Sequence, residues 1–96
     1  MGKYMTFRED LKESLDDKDF RKYYEHELQR LRLGKQIAAI RAKRGMTQKE
    51  LAKRLKTSQG AVTRLESGAY TGYSLRTLER IAAATGAHLD IHLGIP

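Results

Sequence analysis

The chain has no cysteine, and its only proline is the last residue, Pro96. Without cysteine, neither a disulfide nor a thiolate metal site can form, and a reducing compartment fits. No apolar run approaches the ~18 residues that a bilayer-crossing helix needs. The opening MGKYMTFRED lacks the apolar core of a signal peptide. A cytoplasmic location with no membrane partner is therefore expected. Low-complexity stretches are also missing, and an interior free of proline suits a compact, mostly helical chain. Ninety-six residues suffice for one small domain with a modest core, not for two independent ones.

What is present is charge, unevenly placed. Residues 9–27 carry eight acidic and four basic side chains, a net −4. Residues 28–80 carry thirteen Lys/Arg against Glu50, Glu66 and Glu79, a net +10. The basic block suits a polyanion such as the DNA backbone, and the acidic block would repel the same phosphates. One chain thus offers two surfaces to two kinds of partner.

Helix signals fill most of the sequence. Thr6 followed by Glu9 reads as a capping box, with Phe7, Leu11 and Leu15 at helical spacing and a stop near Asp16–Asp17. A second helix, capped by Asp16 or Asp17, runs as far as Arg44 and carries two apolar stripes. Phe20, Tyr24, Leu28 and Leu31 form one; Leu33, Ile37 and Ile40 form the other, on roughly the opposite side. One stripe serves the core, and the other needs the first helix, a second copy or a partner to cover it. Gly34, where the stripes change over, is the candidate for a bend or a break. Thr47 with Glu50 opens a helix through Leu55, and Ser58 caps another that ends at Gly68. After the loop Gly68–Tyr73, Ser74 caps a last helix, with Leu75, Leu78, Ile81 and Ala82 inward and Gly86 as its stop. Residues 87–93 (AHLDIHL) then alternate with period two, which predicts a half-buried strand. No other segment alternates, so that strand should pair with a second chain through Leu89, Ile91 and Leu93.

The chemistry concentrates in TQKELAKRLKTSQGAVTRLESG, residues 47–68. Leu51, Ala52, Leu55, Val62 and Leu65 repeat so that two short helices pack face to face across a tight turn. The second helix then offers Gln59, Ala61, Thr63 and Arg64, where a recognition helix places its base-reading groups in the major groove. Gln pairs with adenine, Arg with guanine, and Ala or Thr can touch a thymine methyl. Gln48 and Ser58 stand at helix N-termini, which suit phosphate. Arg44, Lys49, Lys53, Arg54 and Lys56 either touch phosphate or form a solvated face. The hydroxyls of Tyr70 and Tyr73 either donate to phosphate or pack on their loop.

With TQKELA at 47–52 and QGAVTRLESG at 59–68, the unit resembles the helix-turn-helix of the phage-repressor/Cro-like (xenobiotic-response-element) family, over about residues 33–85. The resemblance implies an all-α, five-helix core, here with extra N-terminal helices in front and the short C-terminal β-strand behind. It implies that Gln48 and Ser58 hold phosphates while Gln59, Thr63 and Arg64 face bases. It also implies an internal salt bridge between Arg41 and Glu66. Two positions depart from the family pattern. Lys56 stands where the inter-helix turn usually has Gly, a strain of about 1 kcal/mol if that position is left-handed. Gly60 stands where a polar base-contacting residue is common, so part of the readout is missing or passes to Ala61 and Thr63.

The domain division expected is an acidic helical segment at 1–32, the DNA-binding unit at 33–86 and the strand at 87–96. The leading FREDLKESLDDKDFRKYYEHE (Phe7–Glu27) resembles the front of HigA-type antitoxins. Such proteins repress their own operon and neutralise a small RelE/HigB-like mRNA-endonuclease toxin. That resemblance implies a toxin-binding surface around Phe7, Leu11, Phe20 and Tyr24. The alternative is a stand-alone repressor whose residues 1–32 merely extend the core. Either way, a homodimer on a palindromic operator is expected, because one such unit reads only a few base pairs. No enzyme, cofactor or metal is expected. His26 is isolated from any nucleophile or paired carboxylate. His88, Asp90 and His92 could share one face of the strand as a metal-binding His-x-Asp-x-His, but the simpler reading is its polar face.

Overall fold

A computed structural model describes residues 7–95, with five helices: α1 (Phe7–Leu15), α2 (Lys18–Lys43), α3 (Gln48–Leu55), α4 (Gln59–Ser67) and α5 (Leu75–Thr85). The expected cap at Thr6 and the side chains of Phe7 and Leu15 lie outside what it describes. Local chemistry sets the boundaries. Asp17 caps α2 by accepting from the backbone N–H of Asp19 and Phe20. Thr47, Ser58 and Ser74 accept from the N–H three residues on, at 3.0, 3.1 and 3.1 Å. At the other ends, Gly45, Gly68 and Gly86 take positive φ, the conformation that closes a helix with reversed hydrogen bonds.

Lys56 does the same without glycine's freedom, at φ 58° and ψ 47°. Its N–H reaches the Lys53 carbonyl at 3.2 Å and the Thr57 N–H reaches that of Ala52 at 2.9 Å. The pair of bonds holds the left-handed residue in place between α3 and α4.

The core consists of Ile37, Met46, Leu51, Ala52, Leu55, Val62, Leu65 and Ile81, with Leu51 and Val62 fully buried. None of it comes from the described part of residues 1–32. Leu33, Tyr70, Tyr73 and Ala84 pack against its edge. The radius of gyration is 17.1 Å, against about 12–13 Å for a compact chain of this length. The excess comes from the long α2, whose first half carries α1 and projects beyond the body.

Four expectations need correction. The helix-turn-helix core does not contain five helices with others in front; five is the total among the described residues. Gly34 does not break α2, which is continuous from Lys18 to Lys43. It is instead buried where α2 crosses α4, and a Cβ there would stand 2.7 Å from the Glu66 carbonyl oxygen and 2.9 Å from that of Leu65. Gly68 answers it from the other side, because a Cβ on it would meet the Leu31 backbone at 3.0 Å. Leu75 points outward, 56% exposed. Residues 87–93 form no strand in the single chain. A ladder needs a second strand, and no segment among the described residues supplies one. Ala87 and Leu89 are nevertheless half-buried while His88 and Asp90 are exposed, so the period-two alternation survives as an extended tail lying on the body.

Candidate nucleic-acid interface

The close α2–α4 crossing fixes how α4 is presented. At about 100° per residue, Gln59, Thr63, Ser67, Gly60 and Arg64 occupy one continuous arc of about 140°, and all five are exposed. Val62 and Leu65 face the core. Ala61, expected among the base-reading residues, lies outside the arc. It is half-buried and lines a cavity of about 120 Å³ with Leu55, Leu65, Tyr70 and Ile81. Ser67 takes the place in the arc that Ala61 was expected to hold, and helical periodicity alone could have identified it. The side chains of Gln59 and Arg64 make no hydrogen bond among the described residues. Gly60 leaves open space at the centre of the arc, with only the Ser58 hydroxyl 3.9 Å from where its Cβ would be.

Behind the arc runs a polar network across three helices. Arg41 of α2 donates to Glu66 of α4 through two nitrogens, at 2.6 and 3.1 Å, and to the Met46 carbonyl at 2.7 Å. Gln48 of α3 donates to Glu66 at 3.0 Å, and its carbonyl accepts from the Thr63 hydroxyl at 3.1 Å. The salt bridge is largely enclosed, its side chains 18% and 7% exposed. Burial alone would raise the Glu66 pKa, but hydrogen bonds from Arg41 and Gln48 together with the Arg41 charge outweigh it and hold the carboxyl below its ordinary value. The hydrogen bond to Glu66 raises the Arg41 pKa, with burial opposing and the Glu66 charge reinforcing. A removal that left one of these charges without its partner would be the costly event. Gln48 and Thr63 are thus held by the protein itself, with one Gln48 amide hydrogen left for an outside acceptor.

The expected phosphate-contacting residues divide. Ser58, Lys49 and Lys56 are exposed, as is Lys53, and no carboxylate engages these lysines among the described residues. Tyr73 is not available, because its hydroxyl donates to the Leu65 carbonyl and burial, then the neighbouring Tyr70, push its pKa up. Tyr70 stands edge-on to it, ring centroids 5.1 Å apart. Three exposed arginines reach helix ends, where carbonyls and the negative end of the dipole attract them. Arg80 donates to the Leu55 carbonyl at 2.5 Å, Arg54 to that of Ala84 at 3.0 Å and Arg44 to that of Gly86 at 3.2 Å. Arg44 and Arg54 therefore brace α5 rather than form a bare solvated face.

The comparison with known protein families finds a helix-turn-helix model matching residues 37–91, more than half of the chain. The chain belongs to the helix-turn-helix family. It is of the phage-repressor type, and this helix-turn-helix protein is a sequence-specific DNA-binding regulator of transcription. No curated protein and no solved structure matches it. No helix of the described residues is long and apolar enough to cross a membrane.

Far from the helix-turn-helix, the projecting α1–α2 arm groups aromatic and acidic side chains. Phe20 stacks on Tyr24 with centroids 6.4 Å apart and lies 6.5 Å from Tyr23. Phe20 and Tyr23 are 37% and 61% exposed, while Tyr24 and Leu11 are half-buried. Asp10, Glu13 and Asp17 surround Phe20 in one shallow hollow. Tyr23 belongs to this patch although no apolar stripe in the sequence included it.

Proposed function

We propose that the protein is an operon-repressing antitoxin. As a homodimer it grips a palindromic operator with α4, and with its acidic arm it neutralises a small basic mRNA-endonuclease toxin of the RelE/HigB-like kind. For the DNA half, Gln59, Thr63 and Arg64 read bases, and Ser58, Gln48, Lys49 and Lys56 touch phosphate. Arg41 and Glu66 fix the angle between them. Support comes from the unengaged Gln59 and Arg64 on an arc whose Thr63 is held from behind by Gln48.

For the toxin half, the observation that carries the reading is the patch of Phe20, Tyr23 and Tyr24, with Asp10, Glu13 and Asp17 around Phe20. A ribonuclease must present cations to RNA, and an apolar, acidic surface complements that. The patch contributes nothing to the buried core, which disfavours the reading of residues 1–32 as padding for a stand-alone repressor. The test is co-expression with the product of the neighbouring gene. The full chain should neutralise and co-purify with that product, and removal of residues 1–24 should abolish both while leaving operator binding. Unchanged neutralisation by the truncated chain would reject the arm as the toxin surface. No association at all would leave a stand-alone repressor.

A further inference from the structure

The C-terminal tail, residues 87–95, leaves most of one apolar face uncovered. It runs along a groove of about 470 Å³ between α2 and α5, lined by Leu33, Ile37, Ile40, Leu78 and Ile81. Its odd-numbered residues form one apolar face. The body covers only the first part of that face: Ala87 and Leu89 are half-buried, whereas Ile91, Leu93 and Ile95 are 56%, 91% and 97% exposed. No backbone hydrogen bond along residues 88–95 joins the tail to another element among the described residues. The tail therefore presents an unpaired edge and an apolar face that fades outward from Leu89 to Ile95.

Resting on the homodimer reading above, we infer that two copies pair these tails antiparallel about a two-fold axis at Ile91, with Asp90 of each copy opposite His92 of the other. In that register Leu93 lies opposite Leu89, and Ile95 opposite Ala87. The exposed Leu93 and Ile95 of one tail then land beside the half-buried Leu89 and Ala87 of the other, and Ile91 faces its own equivalent. Charge is compatible with the same register. Asp90 meets an imidazole that can donate to it, and His88 meets Gly94, which leaves the ring room. An axis at Asp90 would instead set the two Asp90 carboxylates directly against each other, and like charges directly opposite destabilise a strand pair. The second copy is the occupant because the exposed apolar face and the alternating His and Asp of the tail can be satisfied by the same residues of another copy about a two-fold axis.

The native chain lacks cysteine, so single cysteines report the register. Residues on the axis have Cα atoms about 4.5–5.5 Å apart, within disulfide reach. Residues two positions away face their own equivalents at about 13 Å, out of reach. On mild oxidation of the full-length chain, I91C should form a covalent dimer rapidly and L93C should not. By sedimentation, H92D should raise the dimer dissociation constant about tenfold, since it turns two attractive cross-strand pairs into repulsive ones, and D90H/H92D should restore it. L93C crosslinking as fast as I91C, or H92D dimerising more tightly than the native chain, would overturn the register while sparing the dimer. The second result is what an axis at Asp90 requires, since it sets residue 92 against His88. A native chain that sediments as a monomer at tens of micromolar would overturn both.

Discussion

Replacing Gly34 by alanine sets two effects against each other, and the distances decide the sign. In an exposed helix the change stabilises by about 1 kcal/mol, because glycine is the poorer helix former. Here the new methyl would stand 2.7 Å from the Glu66 carbonyl oxygen, 2.9 Å from that of Leu65 and 3.0 Å from the Glu66 carbonyl carbon. All three are backbone atoms of α4, so no side chain can swing aside and the two helices must separate. Overpacking costs about 1–3 kcal/mol, and a clash against backbone belongs at or above the upper end. A net loss of about 2 kcal/mol or more follows, which lowers Tm by at least roughly 8–16 °C in a domain of this size. Gly60 is the control, since its Cβ position is open to within 3.9 Å. G60A should leave Tm unchanged or raise it by a few degrees. Thermal melts of the full chain followed by circular dichroism, with both variants side by side, test this. A G34A protein as stable as the native one would refute the close crossing as the device that holds α4.

Three further outcomes are expected. E66Q should cost about 2–4 kcal/mol at pH 7 by leaving Arg41 without its counter-charge. Because the Glu66 pKa is lowered in the folded protein, its stabilisation is complete above the unfolded carboxylate value of about 4.3 and fades as pH falls through the folded value. Urea midpoints of native and E66Q proteins should therefore converge in acid. K56G should stabilise by about 0.5–1 kcal/mol in urea titrations by relieving the left-handed backbone, whereas an unchanged or lower midpoint would show that no strain is stored there. On DNA, R64A should lose about 1–3 kcal/mol at one base position only, while K49A should weaken all sequences alike and reduce the salt slope by about 1. Competition binding across salt concentrations separates the two.

Features that depend on a few neighbouring residues were legible in the sequence. The caps at Asp17, Thr47, Ser58 and Ser74 and the stops at Gly68 and Gly86 are local hydrogen-bond chemistry, and they stand where the residue types put them. The left-handed backbone at Lys56 was legible as a departure from the family's usual glycine. Features that depend on what lies across a helix crossing were not. Gly34 reads as a weak point in a helix until α4 is seen pressed against it. Arg44, Arg54 and Arg80 count only as positive charge until the helix ends that they brace are in place. Ala61 lies in the N-terminal half of α4 where base-reading groups are expected, but its angular position sets it with Leu65 rather than with Thr63. The strand expected at 87–93 failed for a thermodynamic reason: alternation supplies a face, but only a second strand supplies the hydrogen bonds.

The central claim is that α4 reads DNA through the exposed arc that carries Gln59, Thr63 and Arg64. In vitro selection of the full-length protein against random duplex DNA at near-physiological salt tests it most directly. Enrichment of one palindromic sequence, with half-sites about one helical turn apart, and loss of preference at a single position of each half-site in R64A, is the predicted result. Recovery of no common sequence, or binding that R64A leaves unchanged at every position, would contradict it.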